Sequence, residues 1–149
     1  MSPEYLADPY DDVISGRRIP VLVSMEPGFL RDSMITILQS FRFVLLVGEV
    51  PNAAGRWITP RPLQPQIVLI DCSQNNTGWA NAIREFRASS PEIMCLAIAD
   101  TFQAGKLALK NGADEVILHG FTSHDLGESI QRLAPLPVAC QVRAAGKKG

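Results

Sequence analysis

Asp71 closes an apolar run, Gln66-Ile-Val-Leu-Ile-Asp71, and Glu26 stands just past the end of another, Ile19-Pro-Val-Leu-Val23. Continuous apolar runs of this kind are strands covered on both faces. A carboxylate at the C-terminal end of such a strand lies where ligands bind in open α/β sheets. Two acids on one sheet edge can hold a divalent cation and receive a phosphoryl group. The chemistry to look for is therefore metal-assisted acceptance of phosphate at one edge of one sheet.

The elements that must carry these residues can be read from periodicity. After the first strand, Pro27 to Ser40 has helical spacing, with Leu30, Met34, Ile37 and Leu38 on one side and Arg31, Asp32 and Gln39 on the other. Phe43–Val47 reads as a second strand ended by Gly48, and Asn52 to Thr59 as a short helix stopped by Pro60, Pro62 and Pro65. Ile67–Ile70 is the third strand, and Trp79, Ile83 and Phe86 mark a helix ending near Ser89-Ser90-Pro91. Ile93–Ala99 is the fourth strand, followed by a helix from Phe102 to Lys110 that ends at the C-cap signature Asn111-Gly112. Glu115–Leu118 is the fifth strand, and Thr122 with Asp125 forms a capping box for a last helix using Leu126, Ile130 and Leu133. Strands alternating with helices predict an α/β fold, a doubly wound five-stranded parallel sheet with right-handed crossovers.

Bulk properties fit that reading. A chain of 149 residues suits one core, and 46% hydrophobic with 19% charged residues is ordinary for a globular protein. The formal net charge of −1 argues against direct nucleic-acid binding, which needs a clustered basic face. No stretch is long and apolar enough to span a bilayer, and no signal-peptide core is present, so a cytoplasmic location is expected. Cys72, Cys95 and Cys140 show no C-x-x-C spacing and read as reduced thiols, the first two buried in or beside strands. Residues 1–18, acidic and carrying Tyr5 and Tyr10, read as an N-terminal arm, residues 19–134 as the folded domain, and residues 135–149 as a basic linker or tail.

The order of elements and several motifs resemble the receiver domain of two-component response regulators, with its flavodoxin-like topology. Leu69-Ile-Asp71 resembles the phosphoacceptor strand, Asn111-Gly-Ala-Asp114 before Val116-Ile-Leu118 resembles the turn into the fifth strand, and Phe121-Thr-Ser-His-Asp-Leu126 resembles the entry to the last helix. The likeness covers residues 19–134, in the style of receivers attached to helix-turn-helix DNA-binding domains. It implies phosphorelay signal transduction: a histidine kinase or phosphotransfer protein donates a phosphoryl group to Asp71, and Mg²⁺ is held by Glu26, Asp71 and the backbone carbonyl of Ser73. It also implies a homodimer surface on the last helix, the helix before it and the fifth strand, and a DNA-binding output domain beyond this chain.

The same comparison marks an atypical site. The acidic pair of the family falls on Met25-Glu26, its Lys on His119, its Ser/Thr on Ala99 (or Ala97), and its aromatic switch residue on Val116. Met offers Mg²⁺ no hard oxygen, and neutral imidazole does not replace an ammonium. The expectation is a phosphoprotein without the usual readout, acting through partners rather than by turnover. The alternative is a phosphorylation-independent pseudo-receiver, an interaction or small-ligand module. Enzyme motifs of the P-loop, dinucleotide-binding and nucleophile-elbow types are absent from the sequence.

Overall fold

The computed structural model describes residues 13, 16–50, 64–73 and 78–134. Its elements, in chain order, are β1 (Ile19–Ser24), α1 (Phe29–Ser40), β2 (Val44–Val50), β3 (Ile67–Cys72), α2 (Gly78–Ser89), β4 (Met94–Ala99), α3 (Phe102–Lys110), β5 (Glu115–Leu118) and α4 (Ser123–Leu133). The strands form one five-stranded sheet in the order β2-β1-β3-β4-β5, and every neighbouring pair is parallel. The chain winds outward from β1 to β2, then returns and winds the other way from β3. That reversal opens a crevice beyond the C-terminal ends of β1 and β3.

Strand side chains alternate between two cores, which explains the unbroken apolar runs. On one face Val21, Val23, Ile67, Leu69, Leu96 and Ile98 pack with Met34 and Leu38 of α1 and Leu126 and Ile130 of α4. On the other, Leu22, Val68, Ile70, Cys72 and Cys95 pack with Trp79, Ile83 and Phe86 of α2 and Ala104 and Ala108 of α3. Each fully buried aliphatic side chain of this size contributes about 1.5–3 kcal/mol, so the sheet and its two layers hold the strand tips in fixed positions.

Gly48 does not end β2, as its residue type suggests, but lies inside it. The ladder shifts register between Val21 and Leu22, which sets Gly48 opposite Leu22. A Cβ at Gly48 would stand 3.1 Å from Leu22 Cδ1, so glycine makes room for a core leucine while pairing continues to Val50. Helix α1 starts at Phe29, two positions later than the Pro27 start read from the sequence.

The Asn111-Gly-Ala-Asp114 turn anchors the edge of the sheet opposite the crevice. Gly112 sits at φ 120°, a region side chains avoid, and Arg87 Nε donates to its carbonyl over 2.9 Å. Arg87 Nη1 donates to the carbonyls of Pro91 (3.0 Å) and Ile93 (2.9 Å), and Nη2 pairs with Asp114. Asp114 Oδ2 in turn accepts from the Cys95 N–H at 2.7 Å. One guanidinium thus ties α2, β4 and β5 together. At the other end, Thr122 and Asp125 form the expected capping box, with both reciprocal hydrogen bonds at 3.1 Å.

The short helix expected at Asn52–Thr59, the C-terminal tail and residues 1–12, 14 and 15 of the N-terminal arm lie outside the described residues, as do Trp57, Cys140 and the loop Gln74–Thr77. Among the described residues, no helix is long and apolar enough to cross a membrane.

Candidate functional site

Asp71 is the penultimate residue of the central strand β3, and its half-buried carboxylate opens on the crevice edge. Alternation puts it on the same face as Leu69, the face of α1 and α4. Across β3 the ladder pairs Asp71 with Ile98 and Cys72 with Ala99. On the other side Ser24 pairs with Ile70, so Met25 follows into the place beside Asp71.

Met25 is only 1% exposed and belongs to the core cluster of Val23, Leu69 and Leu126. The position to which the resemblance assigns an acid is part of the hydrophobic interior. Burial raises its pKa above the ordinary carboxylate value, His119 opposes that shift, and the like charge of Asp100 adds to it.

Asp100, which follows β4, is the site residue that sequence reasoning missed. Its signal was present, because it is an acid directly after an apolar strand, as Asp71 is an acid at the end of the apolar run Ile67–Ile70. Ser73 Oγ donates to Asp100 Oδ2 over 3.3 Å, and Trp79 Nε1 donates to the Ser73 carbonyl over 2.9 Å. The backbone beyond Asp71 is therefore gripped by the start of α2 and linked to the tip of β4. His119 is exposed just past β5, and its N–H donates to the Ala99 carbonyl at 2.9 Å. Asp71, Asp100 and His119 thus share one sheet edge, and the other two act on Asp71 through charge.

Glu26 is exposed, immediately after the buried Met25. The donor set for Mg²⁺ is short of what the resemblance implies. One acid is replaced by a core thioether, and the Ser73 carbonyl already accepts an indole N–H. Among the described residues, no three His, Cys, Asp or Glu side chains are grouped so that they could hold a metal ion. The residues present do not fit a built Mg²⁺ centre.

Ala99, Ala97 and Val116, which the resemblance matches to a hydroxyl and an aromatic residue, are apolar. Ala99, the last residue of β4, is fully buried, as is Ala97. Val116 packs under α3, where its Cγ1 lies 3.1 Å from the position a Cβ on Gly105 would take. Cys72, beside the phosphoacceptor, is buried, and burial lifts its thiol pKa far above the ordinary value, while Cys95 is pushed up to about 12. Both thiols stay protonated and unreactive at neutral pH.

No family model matches this sequence, and no curated protein matches it. Solved structures do. The response regulator domain of Thermotoga maritima CheB superposes with a TM-score of 0.63 at 21% identity, covering 78% of this chain and 96% of that one. The receiver domain of the response regulator NarL from Mycobacterium tuberculosis gives 0.66 at 19% identity, covering 78% and 95%. RcsB of Salmonella typhimurium gives 0.65 at 13% identity, covering 82% of this chain and 64% of that longer one. The chain has the fold of response-regulator receiver domains.

Proposed function

We propose that this chain is a signal-receiving domain whose phosphoacceptor is Asp71. The observation that carries the reading is a half-buried carboxylate at the C-terminal tip of the central strand, at the point where the winding of the sheet reverses. Burial makes that carboxylate more basic, and hence a better nucleophile once ionised, than an exposed aspartate. An Asp71 oxygen attacks the phosphorus of a phosphohistidine on a kinase or phosphotransfer protein. The P–O bond forms, the P–N bond breaks, and the departing imidazole nitrogen takes up a proton. His119, on the same edge, offsets the added negative charge when protonated, and Asp100 opposes it. A DNA-binding output domain beyond this chain would act downstream, as the RcsB likeness suggests.

Incubation with a small-molecule phosphodonor, followed by intact mass measurement, tests the reading. An adduct of roughly 80 Da is expected, and it should vanish in Asp71→Asn. No adduct under conditions that label an ordinary receiver would overturn it.

One observation favours a second reading, a phosphorylation-independent interaction module. Met25 is 1% exposed and Ala99 fully buried where the family places an acid and a hydroxyl. A domain whose partner binding is the same for the native chain, Asp71→Asn and Asp71→Glu would fit it.

A further inference from the structure

We propose that Asp100 selects the phosphodonor of this domain, favouring donors whose leaving nitrogen group is protonated over acyl phosphates. The inference rests on Asp71 as the phosphoacceptor and adds the class of donor to that reading. β3 and β4 run parallel, with Asp71 opposite Ile98 and Cys72 opposite Ala99, so Ser73 and Asp100 come next at the two strand tips. The Ser73 hydroxyl donates to Asp100 Oδ2 over 3.3 Å, which ties that carboxylate to the residue two positions beyond Asp71.

The backbone around Asp100 is held on both sides. The Ala99 carbonyl accepts from the His119 N–H at 2.9 Å, and Ala99 itself is fully buried. Thr101 caps α3, its hydroxyl accepting from the Ala104 N–H and its carbonyl from the Gly105 N–H, both at 3.0 Å. Asp100 between them is exposed, so a fixed frame presents its charge to whatever enters the crevice. With exposed Glu26 just past β1 and half-buried Asp71, three acids stand on this edge. The position to which the resemblance assigns a lysine is His119, a cation only when protonated. Asp100 acts on Asp71 as a like charge and His119 as an opposite one.

With either class of donor, an Asp71 oxygen forms its bond to phosphorus. In an acyl phosphate the bond that breaks leaves its electron pair on oxygen, and a carboxylate departs. Negative charge grows on the departing atom, and the like charge of Asp100 raises that barrier. In phosphoramidate the nitrogen already carries the proton. The P–N bond breaks with its electron pair on nitrogen, and neutral ammonia departs. The donor brings a positive charge that Asp100 attracts, and no anion is released beside it. A phosphohistidine with a protonated imidazole is the same kind of donor on a protein, releasing a neutral ring. One unit charge near a protein surface is worth about tenfold in rate.

Rates of adduct formation on the full chain with phosphoramidate and with acetyl phosphate, read by intact mass, test the proposal. The readout is the ratio of the two rates, because a loss of folded protein lowers both together. Asp100→Asn removes the charge and keeps an acceptor for the Ser73 hydroxyl, whereas Asp100→Glu keeps the charge. The side chain is exposed, so the fold tolerates both. The ratio of phosphoramidate to acetyl phosphate labelling should fall about tenfold in Asp100→Asn and stay near the native value in Asp100→Glu. In the native chain it should fall with rising ionic strength, as an exposed charge requires. A ratio that Asp100→Asn leaves unchanged overturns the proposal while the phosphoacceptor reading stands. So does a ratio that Asp100→Glu shifts as far as Asp100→Asn does. No adduct from either donor on any of the three chains overturns the phosphoacceptor reading, and this proposal with it.

Discussion

The Trp79 indole N–H donates to the Ser73 carbonyl over 2.9 Å, so the first turn of α2 fixes the backbone immediately beyond the Asp71 strand tip. Trp79→Phe keeps most of the ring volume and removes the donor. It should cost about 1–2 kcal/mol in urea unfolding, and it should slow Asp71 adduct formation while leaving Asp71→Asn equally unlabelled. Loss of stability with an unchanged labelling rate would show that this grip does not position the carboxylate.

Met25→Asp restores the acid that the family places beside the phosphoacceptor, but at a position 1% exposed in the core. An unpaired carboxylate there should destabilise the fold by about 2–4 kcal/mol without added metal. Millimolar Mg²⁺ should recover part of that loss in the variant and raise the melting temperature of the native chain little or not at all. A large Mg²⁺ stabilisation of the native chain would contradict the reading of the donor set.

Asp71 and Glu115 should give opposite pH slopes to stability. The folded pKa of Asp71 is raised by burial, so the folded state holds its proton to higher pH than the unfolded chain. Stability from this group is complete in acid and falls as pH climbs from the ordinary aspartate range to the raised value. Asp71→Asn should therefore be more stable than the native chain at pH 7, by less than about 1 kcal/mol because the group keeps solvent access, and equal to it in acid. The folded pKa of Glu115 is lowered by hydrogen bonds from Arg132, with help from Ser129. Its contribution is present above the ordinary glutamate range and lost as pH falls through the lowered value. Glu115→Gln should be less stable at pH 7 and converge with the native chain in acid. Thermal melts across pH check both signs.

Arg87 satisfies three backbone carbonyls and pairs with Asp114 where α2, β4 and β5 meet. Arg87→Ala should cost about 3–5 kcal/mol, because it leaves the partly buried Asp114 carboxylate without its cation. Arg87→Lys should rescue little, since an ammonium cannot reproduce the fork of donors. Denaturant midpoints of the two variants decide it.

The fold was legible because each strand is buried on both faces. The unbroken runs at Ile19–Val23 and Ile67–Ile70 follow directly from two helix layers, and the Thr122–Asp125 cap appears as written. Gly48 misled because its space is filled by Leu22 of the next strand, a tertiary contact that no local pattern encodes. The site was legible in its nucleophile but not in its electrostatics. Asp71, Asp100 and His119 are far apart in sequence and meet only because parallel strands end at one edge. Asp100 was visible as a strand-end acid, yet nothing local tied it to Ser73. The burial of Met25 could be guessed from its residue type, but its place beside Asp71 needed the register of β1 against β3.

Gly105 brings α3 against β5 with no side chain between, Val116 Cγ1 standing 3.1 Å from the missing Cβ position and Ala99 Cβ 3.7 Å from it. The helix therefore rides on the sheet without a cushion. A single methyl at that site would act as a shim, lifting the helix from β4 and β5 at once and loosening a stiff joint into a compliant one.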